Sequence, residues 1–160
     1  MAATPAIRAL SQADVEHSVH RYRHDRRNDD YGAEAVAAMS AELGIAPEQV
    51  FKTLVIDVSG RLCVAVLPVP SMLSMKAAAA ALGGSKATMA DPAKVTRSTG
   101  YVLGGVSPLG QRTALPTVID SSALQWPLVL CSAGQRGLEV ALAPADLVAA
   151  TSAITAAITA

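Results

Sequence analysis

Apolar positions fall into short runs punctuated by glycine, proline and serine, and none is long enough to cross a membrane as a helix. Residues 4–10 read as a short helix: Thr4 can cap it, Pro5 suits its first position, and Ile7 and Leu10 share a face. Residues 17–24 hold Val19 alone among polar groups and read as an edge strand. Residues 31–43 carry Val36, Met39 and Leu43 at helical spacing, with Gly44 placed to end the helix. Pro47 opens a single turn before an apolar strand at 52–58, which the Ser59-Gly60 turn returns as 61–67. Ser74 caps a helix running to Leu82, 86–89 reads as a short strand, and Asp91-Pro92 starts another helix. Apolar runs at 101–103, 117–119, 128–131 and 138–142 read as strands, with 132–137 as a hairpin loop between the last two. Pro144 starts a further helix, and the Ala/Thr tail past Ala150 is expected to fray. No linker or repeat divides the chain. The pattern predicts one α/β mixed (α+β) domain over residues 1–160, with six or seven short strands.

Composition qualifies that picture. Of 160 residues 51% are hydrophobic, yet 32 are alanine and only five are aromatic, so much of the apolar content buries little area per side chain. So few aromatics exclude the base-stacking platforms of single-strand-binding proteins. No basic start followed by an apolar stretch marks a secretory signal, which places the expected site of action in the cytoplasm with no membrane partner. Cys63 and Cys131 make neither a disulfide framework nor a zinc site. The 13 Lys+Arg balance the 13 Asp+Glu, but unevenly: residues 1–51 sum to −3, 52–115 to +5 and 116–160 to −2. A neutral whole thus hides a basic middle that a polyanion could meet, unless its cations are simply scattered over the surface.

The densest chemical signal is Ser98-Thr-Gly-Tyr-Val-Leu-Gly-Gly-Val-Ser-Pro-Leu-Gly110, with four glycines in one stretch. Gly104 and Gly105 would let the backbone approach a ligand, and their N–H groups could hold an anion or a developing oxyanion. A tight crossing that needs glycine for packing is the plainer alternative. The stretch is neither a Walker loop nor GxGxxG. Lys52, between Phe51 and an apolar strand, could set a compact cation against a carbonyl or phosphate, or merely flank the core in solvent. His17, His20 and His24 with Asp25 have metal-like spacing, but the segment is helix-poor and a solvated polar edge fits it better. Tyr22 among them could lend its hydroxyl to a pocket. The small residues of 132–137 could wall one. No elbow-type Ser/His/Asp order and no HExxH is present, so an enzyme built from these parts would rely on positioning and backbone donors, without metal or cofactor.

Together these strings resemble one known family. His20-x-Tyr22-x-His24-Asp25, Val50-Phe51-Lys52-Thr53-Leu54, Met89-Ala90-Asp91-Pro92, the glycine stretch through Ser107 and Gly110, Leu115-Pro116-Thr117-x-Ile119-Asp120, and Ser132-x-Gly134-x-Arg136-Gly137-Leu138 occur in this order in the YbaK/EbsC family. These are Cys-tRNA(Pro) deacylases related to the editing domain of prolyl-tRNA synthetase, and the resemblance spans about residues 4–150. It implies a barrel-like mixed β-sheet flanked by helices, and hydrolysis of the ester joining a wrong amino acid to tRNA(Pro), with prolyl-tRNA synthetase a possible partner. By the same resemblance Lys52 is the essential lysine, Gly104 with Gly105 the loop that approaches the substrate carbonyl, and Tyr22 the pocket tyrosine. Phe51, Ser107, Ser132, Gly134 and Glu139 fall among the substrate-binding positions. In Cys-specific members the substrate thiol attacks its own carbonyl, which matches the missing triad. Arg26-Arg27 stand where the family often has proline, and Glu139 where it has Asp. Clearance of alanine from tRNA(Pro), or a non-catalytic module docking on tRNA or a synthetase, are the alternatives. Oligomeric state is left open.

Overall fold

The computed structural model describes residues 3–25, 27 and 29–160, so Arg26 of the departing pair lies outside them. Local chemistry sets the helices. Helix α1 (Pro5–Gln12) is capped by Thr4, whose hydroxyl accepts from Ile7 N at 3.2 Å. Helix α2 (Tyr31–Leu43) is capped by Asp30 and stops at Gly44. Ser74 caps α3 (Met75–Ala81), Asp91 caps α4 (Pro92–Thr99), and Pro144 opens α5 (Pro144–Thr151). Each cap satisfies an N–H that a helix start would otherwise leave open. No described helix is long and apolar enough to cross a membrane.

Two sheets carry the rest. β1 (His17–Arg21), β6 (Val129–Gln135) and β7 (Leu138–Leu142) form a sheet of order β1-β7-β6, which leaves β1 at an edge as its polar sequence requires. β2 (Phe51–Val58), β3 (Arg61–Pro68), β4 (Ala87–Met89), β5 (Thr117–Asp120) and β8 (Ile154–Ala156) form a second sheet of order β4-β2-β3-β5-β8. A parallel bridge between Val50 and Leu130 joins the two where α2 packs across the seam with Ala35 and Met39. The mixed α+β class holds, and the sheets stand together without closing into a barrel. Both faces of the larger sheet are buried. Val55, Val64, Val66 and Ile119 meet β6, β7 and α1, while Ile56, Cys63, Ala65 and Val118 meet α3 and Ile158. Hence β3 reads as an unbroken apolar run.

Three expectations change. Residues 101–103 form no strand: Val102 and Leu103 are exposed, the Val102 carbonyl accepts from Gly105 N, and Arg136 takes the Leu103 carbonyl. With its carbonyls spent on a turn and a side chain, the run has none to offer a neighbouring strand. Residues 132–135 belong to β6, with a register irregularity between Ser132 and Gln135, and only the Arg136-Gly137 turn remains of the expected loop. The tail does not fray. β8 pairs in parallel with β5, which brings the strands to eight among the described residues. Beyond it Ile158 is fully buried, and its N–H donates to Asp120 Oδ1 at 2.9 Å. The same segment pairs with the stretch before α3: Ser74 N donates to Ile158 O at 2.7 Å, and Ala160 N to Met72 O at 2.8 Å.

Candidate active site

A cavity of about 310 Å³ opens where the starts of β2 and α2 face the glycine loop and the β6–β7 hairpin. Lys52 reaches it from the start of β2, and its Nζ donates to Val69 O at 3.2 Å and Ser71 O at 2.7 Å. An ammonium has three donors, so one remains for a ligand. Burial holds the Lys52 pKa below its ordinary value, and Asp30, also in the wall, opposes that drop. Asp30 takes this place because the same carboxylate caps α2 through Ala33 N at 3.1 Å.

Glu139 lies on β7 between His20 of β1 and Ser132 of β6, and only 5% of it is exposed. Among the described residues no hydrogen bond or ion pair reaches its carboxyl. Burial pushes its pKa up to about 8, so the neutral acid predominates at pH 7 and can donate a hydrogen bond into the cavity. Burial and then the Glu139 charge push Tyr22 up to about 12, which leaves a neutral phenol beside it. Thr53 adds a buried hydroxyl with no partner among the described residues.

The glycine loop closes the opposite side. Gly104 has φ +85°, and a Cβ there would stand 2.6 Å from both Arg136 Nε and Tyr31 Cε2, so glycine is required on both counts. Its N–H has no partner among the described residues, whereas the Gly105 N–H is committed to Val102 O at 3.0 Å. Arg136 pins the loop. Its Nε and Nη2 donate to Leu103 O at 3.1 and 2.6 Å, and its guanidinium carbon sits 4.5 Å from the Tyr31 ring centroid. His24 also packs on Tyr31, its ring 5.6 Å from that of Tyr31 and its Nδ1 2.6 Å from Glu34 Oε1.

Of the residues singled out in the sequence, Lys52, Gly104, Tyr22, Phe51, Ser132 and Glu139 line this one cavity. Gly105, Ser107 and Gly134 stand behind its wall. Gly105 packs on the backbone of Gln135 and Arg136. Ser107 is fully buried and accepts from Leu109 N at 3.2 Å. Gly134, at φ +99°, leaves room for Tyr101, whose Cε1 would come within 2.6 Å of a Cβ. Its N–H donates to Ser132 Oγ at 3.1 Å, so the β6 irregularity orients the serine in the wall. Asp30, Tyr31, Thr53 and Gln135 also line the cavity and were not anticipated. Asp30 carried a readable signal, an acid just before a helix. The three histidines take separate partners: His17 the Val15 carbonyl, His20 Ser18 and Glu42, and His24 Glu34. No group of three or more potential metal ligands occurs among the described residues.

Comparison with known proteins meets this geometry from outside. The family model described as an aminoacyl-tRNA editing domain matches residues 31–150. A protein of Enterococcus faecalis provisionally named a Cys-tRNA(Pro)/Cys-tRNA(Cys) deacylase, EbsC, is 34% identical over 151 residues, 93% of this chain and 88% of that protein. A crystal structure provisionally described as a trans-editing enzyme for prolyl tRNA synthetase superposes with TM-score 0.82 at 24% identity, covering 100% of this chain and 99% of that one. A second, described only as a hypothetical protein, gives TM-score 0.82 at 23% identity over 98% of this chain and 100% of its own. These two likenesses show the shared fold.

Proposed function

This chain belongs to the aminoacyl-tRNA editing domain family, and we propose that it is a trans-editing deacylase that removes cysteine from mischarged tRNA(Pro). Deacylation of aminoacyl-tRNA is the activity to which the family points. The amino acid and the tRNA are the finer assignment, supported by the name of the EbsC relative and by the description of the prolyl-tRNA synthetase trans-editing structure. Residues 1–160 act as one editing unit, with or without that synthetase beside it.

The observation that carries the reading is a lysine tethered by two backbone carbonyls inside a small cavity that also holds a free backbone N–H and a neutral carboxyl. At about 310 Å³ the cavity stands at the low end of the range for small-molecule sites, which suits a short acyl group. Among the described residues no cysteine or histidine lines it, and neither the Ser132 nor the Thr53 hydroxyl is hydrogen-bonded to a side chain that could act as its base, so the site shows no nucleophile–base pair of its own. The substrate supplies the nucleophile. The cysteinyl sulfur attacks the ester carbon, the bond to the ribose 3′-oxygen breaks, the thiol proton passes to that oxygen, and the cyclic thioester released is hydrolysed by water. The protein holds the ester through Lys52 Nζ and stabilises the oxyanion through the Gly104 N–H; one such donor is worth about 3–4 kcal/mol of transition-state stabilisation. Gly105, Ser107 and Gly134 support the wall, and Tyr22, Phe51, Ser132 and Glu139 shape the pocket.

The test is release of amino acid from a panel of mischarged tRNAs by the native protein and by Lys52→Ala. Cysteine on tRNA(Pro) is expected to be released fastest, serine on the same tRNA far more slowly because a hydroxyl is the weaker nucleophile, and the variant to be inactive with an unchanged circular dichroism spectrum. Full activity in Lys52→Ala refutes the mechanism. Faster release of alanine than of cysteine moves the assignment to another small amino acid.

A further inference from the structure

Helix α4 and the chain that leaves the glycine loop present three exposed cations, none of them in an ion pair among the described residues. Lys94 and Arg97 lie three residues apart on α4, both exposed. Arg112, also exposed, joins them: its Nη1 donates to Arg97 O at 3.5 Å, and its side chain stands 3.7 Å from where a Cβ on Gly100 would be. Among the described residues no ion pair involves any of the three. Asp91, beside Lys94 at the start of α4, is engaged as the helix cap, accepting from Lys94 N at 3.3 Å, and makes no ion pair with the three side chains among the described residues.

A helix C-terminus attracts cations, but it is equivalent to only about half a charge. This one is also supplied with donors already. Gly100 N donates to Thr96 O at 2.9 Å, Arg112 N to Thr99 O at 3.0 Å, and Thr113 N to Ser98 O at 2.9 Å. Arg97 already supplies a charge in the last turn and the Arg112 side chain comes to the same end, so the helix end carries more positive charge than it needs and leaves charge for an anion.

Position identifies that anion. Gly100, against Arg112, precedes the cavity-lining Gly104 by four residues, a stretch that spans at most about 14 Å. Between them Val102 and Leu103 are 59% and 47% exposed, so the path between patch and cavity runs over open surface. We propose that Lys94, Arg97 and Arg112 form the seat for the sugar–phosphate backbone of the tRNA acceptor end, one or two phosphates away from the ester held beside Gly104. The inference rests on the deacylase reading. Guanidinium forks match phosphate oxygens in geometry and charge. Such contacts set register on the strand and carry no sequence information, so this seat holds any tRNA alike and leaves discrimination to other surfaces.

The experiment measures deacylation of full-length mischarged tRNA and of the cysteinyl ester of adenosine, which is too short to reach the patch. It compares native protein, Arg97→Gln/Arg112→Gln and Arg97→Lys/Arg112→Lys. For the glutamine pair, KM for tRNA is expected to rise about ten-fold with kcat held, while the ratio to the adenosine ester KM rises by the same factor. The slope of log KM against log salt is expected to fall by roughly 1.4, at about 0.7 per lost single-strand phosphate contact. The lysine pair restores most of the loss. An unchanged ratio overturns the proposal, and so does an equal KM rise on both substrates, which marks a fold effect. Affinity for uncharged tRNA is measured alongside. If native protein cleaves neither substrate but the glutamine pair still weakens that affinity about ten-fold, the seat stands and the deacylase reading falls; if affinity is also unchanged, both fall.

Discussion

Replacing Glu139 by glutamine keeps the shape of a buried side chain and removes its titration, so it isolates the free energy of one charge in the cavity. A carboxyl ordinarily titrates near 4.5, and here burial moves it to about 8. Because the folded state binds this proton more tightly than the unfolded chain does, the stabilisation is complete below pH 4.5 and is lost as pH rises toward 8. Each pH unit in that window is worth about 1.4 kcal/mol, so at pH 7 about 3 kcal/mol has gone, and at pH 8 about 4 kcal/mol. Glutamine has no such slope. Urea denaturation of both proteins from pH 5.5 to 8.5 checks this. The stability of Glu139→Gln relative to native protein is expected to grow by about 1.4 kcal/mol per pH unit and to level off above pH 8. Parallel curves across the range would refute the picture of an uncompensated buried acid.

Two further outcomes follow from the loop geometry. Gly104→Ala places a Cβ at φ +85° against Tyr31 and Arg136; it is expected to cost about 1–2 kcal/mol of stability, read by thermal denaturation, and to lower deacylation kcat/KM at least about ten-fold through its lost approach to the ester. Tyr101→Phe removes a buried hydroxyl that donates to Leu109 O at 2.7 Å; about 1–3 kcal/mol of stability should be lost, with KM unaltered because Tyr101 lies outside the cavity wall.

Caps and turns were legible because their chemistry is local. Thr4, Ser74 and Asp91 each act within three residues of where they stand, and Ser59-Gly60 joins neighbours in sequence. What the chain hid depends on distant partners. The run at 101–103 looks like a strand until Arg136 takes the Leu103 carbonyl. The Ala/Thr tail shows no strand signal, yet it pairs because β5 offers an open edge. The same division runs through the site. The strand-mouth position of Lys52 was legible, but it left a solvated flanking lysine open, and what argues against that alternative is a pair of carbonyls 17 and 19 residues away. Glu139 lay within reach of the family strings, but its neutrality arises from burial between two other strands, which no local pattern reports.

The segment that pairs beyond β8 has a consequence for how the pocket comes into being. Lys52 hangs partly from the Ser71 carbonyl, and the neighbouring residues 72–74 are fastened to 158–160, with Ile158 itself anchored on Asp120. The β2–β3 hairpin can form early, being closed by a two-residue turn, but the fastening from 74 to 158 is a long loop closure and belongs to the slow, cooperative part of folding. A chain halted before that closure keeps the Val69 carbonyl but leaves the segment after Ser71 unfastened. Competence at the ester is thus a property of the finished topology, and damage far along the chain, at Ile158 or Asp120, should read out as a loosened lysine.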